Sequence, residues 1–213
     1  MYSTYIFDLD GTLLDTLDDL HQAVNHALRT YRMPERTREE VRQFVGNGVR
    51  RLMLRAVPDG ELNPQFQAAL TTFQEYYLAH SLDHTRPYEG IPQLLAELKH
   101  RGRQVAVVSN KFHAATSELC CHFFPGVVDV AIGEHEAEGI RKKPAPDTVF
   151  EALRQLKADK STAVYIGDSD VDIATARNAG LPCISVLWGF RDRDFLLAHG
   201  ATTFISTPLS LLS

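Results

Sequence analysis

Thr4-Tyr5-Ile6-Phe7-Asp8-Leu9-Asp10-Gly11-Thr12 begins as a short apolar run and ends on two aspartates, a glycine and a threonine. The run at Thr4–Phe7 is too short for a stable helix and reads as a strand buried on both faces. Both acids then stand at the strand's carboxyl end, where Gly11 lets the chain turn sharply away. In an open parallel sheet, ligands sit beyond those carboxyl ends. The stretch therefore predicts a sheet type and also the edge of that sheet on which chemistry belongs.

Further short, β-rich runs occur at Gln104–Ser109, Val127–Ile132, Ala163–Ile166, Cys183–Leu187 and Thr203–Ile205. Helix-period segments lie among them at Ile91–His100, Ala114–His122, Pro146–Lys157, Val171–Ala179 and Asp194–His199. Strand, helix, strand, helix is the rhythm of a parallel sheet covered on both faces. Residues 16–86 break that rhythm. Leu17, Leu20, Val24, Ala27 and Leu28 recur at helical spacing, as do Phe66, Leu70, Phe73 and Tyr77, with no convincing strand between. This predicts a helical insert after the first strand. It is bounded by Leu14-Asp15-Thr16 on one side and Arg86-Pro87-Tyr88-Glu89-Gly90 on the other, with the α/β domain formed by residues 1–15 and 87–213.

With 213 residues, 44% of them hydrophobic and 23% charged, the chain can bury one core and carry a smaller insert. A net charge of −5 argues against nonspecific nucleic-acid binding, which needs a basic face, but allows a locally positive pocket for a small anion. No segment approaches the roughly 20 apolar residues of a membrane span. Met1–Leu14 lacks the pattern of a secretory signal, because Asp8 and Asp10 interrupt its apolar run. Cys120, Cys121 and Cys183 have neither disulfide-framework nor zinc spacing, so they read as reduced, buried thiols of a cytoplasmic protein. His113, His122 and His135 are scattered and form no metal-binding pattern.

Four strand ends carry polar residues: Asp8 to Thr12, then Ser109-Asn110-Lys111, then Lys142-Lys143-Pro144 in a loop, then Gly167-Asp168-Ser169-Asp170 with Asp172 beyond. Converging carboxylates repel one another, and a hard cation such as Mg²⁺ relieves that repulsion while also binding a phosphate oxygen. One carboxylate can then attack phosphorus, and a second can protonate the leaving oxygen and later deprotonate water. Ser109, backbone amides and Lys143 can hold the phosphoryl oxygens and counter the charge. Each residue also has a simpler reading. Asp8 and Asp10 suit a turn, Ser109 a local cap, and Asp168, Asp170 and Asp172 the acidic start of a helix.

Taken together, Asp8-Leu9-Asp10-Gly11-Thr12, Ser109, Lys143-Pro144 and Gly167-Asp168-Ser169 with Asp172 resemble the four ordered motifs of the haloacid dehalogenase-like hydrolases. The resemblance implies a Rossmann-like, doubly wound α/β core of catalytic function, with residues 16–86 as the small helical cap domain of that family. It implies Asp8 as nucleophile and Mg²⁺ ligand, and Asp10 as general acid/base that ligates through its backbone carbonyl. Asp168 would be the third ligand, with Asp172 assisting the metal site and Ser109 and Lys143 completing the catalytic set. An acid at Asp10 sets the chain apart from the dehalogenase branch and points to phosphatases and phosphomutases.

Val45-Gly46-Asn47-Gly48-Val49-Arg50-Arg51-Leu52-Met53, Val107-Val108-Ser109-Asn110-Lys111 and Trp188-Gly189-Phe190-Arg191 with Gly200-Ala201 further resemble phosphoglycolate phosphatases. On that likeness the expected reaction is a Mg²⁺-dependent hydrolysis of 2-phosphoglycolate to glycolate and phosphate through an aspartyl-phosphate. Another small phosphate ester or pyrophosphate is the alternative, a β-phosphoglucomutase-like transfer a more distant one, and a noncatalytic phosphate-binding module the most distant. Asn47, Gly48 and Asn110 are expected phosphate or substrate contacts. Arg50 or Arg51 is expected to meet a substrate carboxylate, although exposed arginines at a helix corner would look the same. The expected partner is a small phosphorylated metabolite, with no nucleic acid and no membrane, for a monomer or homodimer.

Overall fold

The structure, a computed structural model, describes residues 2–134, 136 and 139–212, so His135 lies outside the described residues. The chain forms two compact units, one of Met1–Asp15 with Pro87–Ser213 and the other of Thr16–Arg86.

The first unit is built on a parallel sheet. Its strands are β1 (Thr4–Phe7), β4 (Gln104–Phe112), β5 (Val130–Glu134), β6 (Ala163–Gly167), β7 (Cys183–Val186) and β8 (Phe204–Ile205). Two-residue strands β2 (Leu14–Asp15) and β3 (Arg86–Pro87) lie at the chain crossings between the units. The sheet order is β5-β4-β1-β6-β7-β8, so the first strand sits between the second long strand and the strand carrying Gly167. Helices α5 (Ile91–His100), α6 (His113–Phe123), α7 (Asp147–Leu156), α8 (Asp170–Ala179) and α9 (Arg193–Ala198) connect the strands.

Alternate residues of a strand point to opposite faces, and here both sets are buried. Ile6, Ala106, Val108 and Tyr165 pack with Val149, Ala152, Leu153, Ala176 and Ala179 of α7 and α8. Tyr5, Phe7, Val105, Val107, Val164 and Ile166 are buried too, so the second face is also covered. This explains why the strands read as unbroken apolar runs. Cutting a fully buried ring such as Phe7 to alanine would cost about 3–5 kcal/mol.

Two strands depart from their sequence boundaries by three residues at one end. Phe124–Val127 closes in a turn, with Val127 N–H bonded to Phe124 O, so β5 starts three residues later than the apolar run suggests. β4 runs on through Ser109-Asn110-Lys111, because these polar residues find partners in the interior. Of the cysteines, all free, Cys120 is buried, Cys183 half-buried and Cys121 exposed, so the expectation of three buried thiols holds only in part.

The second unit holds α1 (Leu17–Thr30), α2 (Arg38–Phe44), α3 (Val49–Ala56) and α4 (Phe66–His80). Leu20, Val24, Ala27 and Leu28 of α1 are buried, as are Leu70, Phe73 and Tyr77 of α4. Thr37 caps α2, accepting Glu40 N–H while Glu40 accepts Thr37 N–H in return. The Gly46-Asn47-Gly48 break separates α2 from α3, with both glycines at positive φ. Asp19 is buried and accepts three donors, the N–H groups of His84 and Thr85 and the Thr85 hydroxyl, tying the start of α1 to the end of the insert. Among the described residues no helix is long and apolar enough to cross a membrane.

Candidate active site

Strand register brings the motif residues together. Phe7 stands opposite Val107 on one side and Ile166 on the other, all three strands running parallel. Asp8 is therefore level with Val108 and Gly167, one residue before Ser109 and Asp168. No sequence-local rule produces that alignment; it follows from β1 lying between β4 and β6.

Asp8, Asp168 and Asp172 each offer a carboxylate oxygen within 4.8 Å of the others, and all three are buried. Lys143 reaches into this cluster from its loop. Its Nζ donates to Asp8 Oδ1 at 2.7 Å, Asp172 Oδ1 at 2.8 Å and the Tyr165 hydroxyl at 3.1 Å. The neighbouring Lys142 instead pairs with Glu136 at the surface. The loop is held by Asn110, whose Oδ1 accepts Lys143 N–H at 2.8 Å and whose Nδ2 donates to Lys143 O at 3.0 Å. The expected phosphate contact at Asn110 thus has a structural occupation, since its amide clamps the lysine's backbone.

Asp168 is fixed by two donors, the Phe190 N–H at 2.7 Å and the Thr12 hydroxyl at 3.3 Å. The Trp188 indole donates to Thr12 O at 3.0 Å, so the 188–190 segment is laced to the turn after β1. Space there is minimal. Gly11 has φ of +88°, and a Cβ built on it would stand 2.4 Å from Asp168 Oδ2; one on Gly189 would stand 2.3 Å from Asp168 Cβ. Both glycines are required by close approach.

Asp172 behaves differently from the other two acids. Its Oδ1 accepts from Lys143 and from Tyr165 at 3.0 Å, and its Oδ2 accepts from Ser169 N–H at 3.1 Å and the Ser169 hydroxyl at 2.6 Å. A carboxylate has about four lone-pair sites, and here all are taken. Asp172 is an anchor for Lys143, which leaves Asp8 and Asp168 as the carboxylates available to a cation.

Asp10 lies two residues past the nucleophile candidate, with its side chain only partly covered. Lys111 Nζ stands 3.2 Å from Asp10 Oδ1, and the lysine side chain is 2% exposed. Lys111 and Tyr165 were not singled out from sequence; the run Ser109-Asn110-Lys111 carried the only local hint of the first. Ser109 Oγ accepts Lys111 N–H at 3.2 Å, which directs its own proton elsewhere. Asp170 is half-buried in the first turn of α8, where the helix dipole favours an acid.

Burial pushes the Asp8 carboxyl well above the usual carboxylate range; Asp172 adds to this and Lys143 opposes it. Burial, then Asp172, pushes Asp168 up to about 7. Lys143 loses solvation too, but Asp172 and Asp8 more than compensate, so its pKa rises and it stays charged. Burial also raises the Tyr165 hydroxyl well above its ordinary value, Asp172 and Asp8 adding to the effect, which keeps it a donor. Four carboxylates against two ammonium groups leave an excess of two negative charges when all are ionised. A site of this composition fits one divalent cation with oxygen ligands, whose charge would oppose the burial and carboxylate repulsion that raise Asp8 and Asp168.

The cap-segment candidates lie in the second unit. Arg50 is exposed and engaged there: Nε and Nη2 both reach Glu61 Oε1, at 3.1 and 2.8 Å, and the guanidinium lies over the Phe66 ring. Arg51 is exposed and has no polar partner among the described residues. Asn47 is half-buried, and Gly48 precedes α3 at φ of +84°.

Residues 5–186 match the family model described as haloacid dehalogenase-like hydrolase. A phosphoglycolate phosphatase of Aquifex aeolicus is 32% identical over 87% of this chain and 84% of its own length. One of Caulobacter vibrioides is 35% identical over 89% and 81%. The crystal structure of a Lactobacillus delbrueckii subsp. bulgaricus protein superposes with a TM-score of 0.93 at 38% identity, covering 99% of this chain and 96% of that one. The chain therefore belongs to the haloacid dehalogenase-like hydrolase family, and it is an enzyme of the phosphatase kind within it.

Proposed function

We propose that this enzyme hydrolyses small phosphate monoesters through an aspartyl-phosphate on Asp8, with 2-phosphoglycolate as its substrate and Mg²⁺ as its cofactor. The observation that carries the reading is the buried group of Asp8, Asp168 and Asp172 around Lys143, with Asp10 two residues from Asp8. Asp8 and Asp168 would hold the metal, with the Asp10 backbone carbonyl as the family pattern suggests. When bound, the ion supplies charge neutralisation to the phosphoryl oxygens and to Asp8.

An Asp8 oxygen attacks phosphorus while the ester oxygen leaves, taking its proton from Asp10. Asp10 then accepts a proton from water as that water attacks phosphorus, which releases phosphate and restores the Asp8 carboxylate. Lys143 donates to Asp8 Oδ1 and so opposes the charge that gathers on the phosphoryl group. Ser109, its oxygen engaged by Lys111 N–H, donates a hydrogen bond through its O–H to a phosphoryl oxygen. For the substrate carboxylate we favour Arg51 over Arg50, since Arg50 already binds Glu61. The specific substrate rests on the resemblance of the cap segment and on the relatives' names.

The test is acid-quenched incubation with 2-phosphoglycolate and Mg²⁺, followed by peptide mass spectrometry. A hydroxylamine-sensitive phosphoryl group on Asp8, lost in Asp8→Asn, is expected. Unchanged turnover in Asp8→Asn or in excess chelator would refute the mechanism. Phosphate release across about fifty phosphorylated metabolites ranks substrates, and a better ester than 2-phosphoglycolate would overturn the substrate alone.

A further inference from the structure

Tyr165 ends in the site, although the reaction above gives it no part. The residue is fully buried on β6, two positions before Gly167. Its ring belongs to the core with Ile6, Val108 and Ala176, while its hydroxyl reaches out to the polar cluster.

An ammonium group has three protons to donate and a phenol has one. Lys143 Nζ meets three acceptors: Asp8 Oδ1 at 2.7 Å, Asp172 Oδ1 at 2.8 Å and the Tyr165 oxygen at 3.1 Å. Tyr165 donates its own O–H to Asp172 Oδ1 at 3.0 Å. The triangle of lysine, tyrosine and aspartate is thus closed, and the one lysine N–H outside it points to Asp8. A lysine ends in a flexible four-carbon stem and a rotating head, so direction is what such a group lacks unless its neighbours impose it. Here the rigid core ring imposes it.

We propose that Tyr165 is a positioning residue, whose hydroxyl orients the Lys143 ammonium so that one N–H stays on Asp8. This rests on the reading of Asp8 as nucleophile. Loss of the hydroxyl leaves the ring and its packing in place. It also leaves one buried lysine N–H without its acceptor and one Asp172 lone pair without its donor. The ammonium can then turn away from Asp8, and small misplacements of a reacting group are costly in rate. Substrate binding should change little, because the hydroxyl is buried and engaged by Lys143 and Asp172.

The experiment is a double-mutant cycle of Tyr165→Phe with Lys143→Met, read as kcat, KM and the rate of acyl-phosphate formation on 2-phosphoglycolate or an activated aryl phosphate. Tyr165→Phe alone is expected to lower kcat and the phosphorylation rate about tenfold, with KM within twofold. In the Lys143→Met background the same substitution is expected to change kcat less than twofold. Val164→Ala, a core change on the same strand, is the control for stability and should leave kcat within twofold of wild type. A Tyr165→Phe enzyme as fast as wild type would overturn the proposal, and so would an equal loss in both backgrounds or in Val164→Ala. If wild type forms no acyl-phosphate at all, the nucleophile assignment fails and takes this inference with it; if wild type forms it and Tyr165→Phe does so equally fast, only the positioning role fails.

Discussion

Lys143→Met removes a charge and leaves the stem volume nearly unchanged, so little cavity cost enters. What remains is electrostatic. The ammonium makes hydrogen bonds of 2.7 and 2.8 Å to two buried carboxylates, and removing one partner of such a group costs about 3–5 kcal/mol. That cost depends on pH. Asp8 and Asp168 are already raised, Asp168 to about 7, and without the lysine charge both rise further. At pH 6 they can take up protons and avoid part of the repulsion; at pH 8 they cannot do so as readily. Urea unfolding in chelator should therefore show a loss of about 3–5 kcal/mol at pH 8, and a loss smaller by at least about 1 kcal/mol at pH 6. Turnover in Mg²⁺ should fall about 10²–10³-fold, as for loss of a charge-stabilising donor. A variant within about 1 kcal/mol of wild type at pH 8, or a loss equal at both pH values, would refute this account of the cluster.

Metal-free wild type should melt at a lower temperature at pH 8 than at pH 5. Asp168 is raised from its ordinary 3.8 to about 7, so its protonated form's stabilisation is complete below about pH 4 and is lost as pH rises through 7. Added Mg²⁺ should flatten that fall, and a melting temperature in chelator that is constant or rises over this range would contradict the assignment. Gly11→Ala forces a Cβ to 2.4 Å from Asp168 Oδ2 at a φ of +88°, so activity should drop at least about 10²-fold with the helical unit intact by circular dichroism. Near-normal activity would mean that the turn is looser than described. Thr37→Ala breaks the reciprocal cap of α2 and should cost about 1 kcal/mol of stability with kcat unchanged. Arg51→Ala should raise KM for carboxylated phosphate esters and leave carboxylate-free esters unaffected; an equal effect on both would remove Arg51 from substrate selection.

Much of the fold was legible along the chain because its signals are local. A doubly buried strand announces itself as an apolar run, and a helix by its spacing; α5 begins and ends at the expected residues. Boundaries failed where a turn or a buried polar residue competed with apolarity, as at Phe124–Val127 and at Ser109-Asn110-Lys111 in β4.

The site divides along the same physical line. Asp8, Asp10 and Asp168 could be named as candidates from sequence because they stand just past the ends of β1 and β6, whereas Ser109, inside β4, and Lys143, in the loop after β5, were legible through their place in the ordered motifs. The contacts among their neighbours could not be named. Lys111 against Asp10, the Tyr165 hydroxyl between Lys143 and Asp172, and the Asn110 amide on the Lys143 backbone join residues of different elements or loops, all but the Tyr165–Asp172 pair at least 22 positions apart. Those contacts depend on β1 lying between β4 and β6 in a particular register. Composition and order along the chain set what each residue can donate, accept or carry as charge. Only the packed sheet decides which of those capacities meet, and at Asp172 it consumes all of them within the protein.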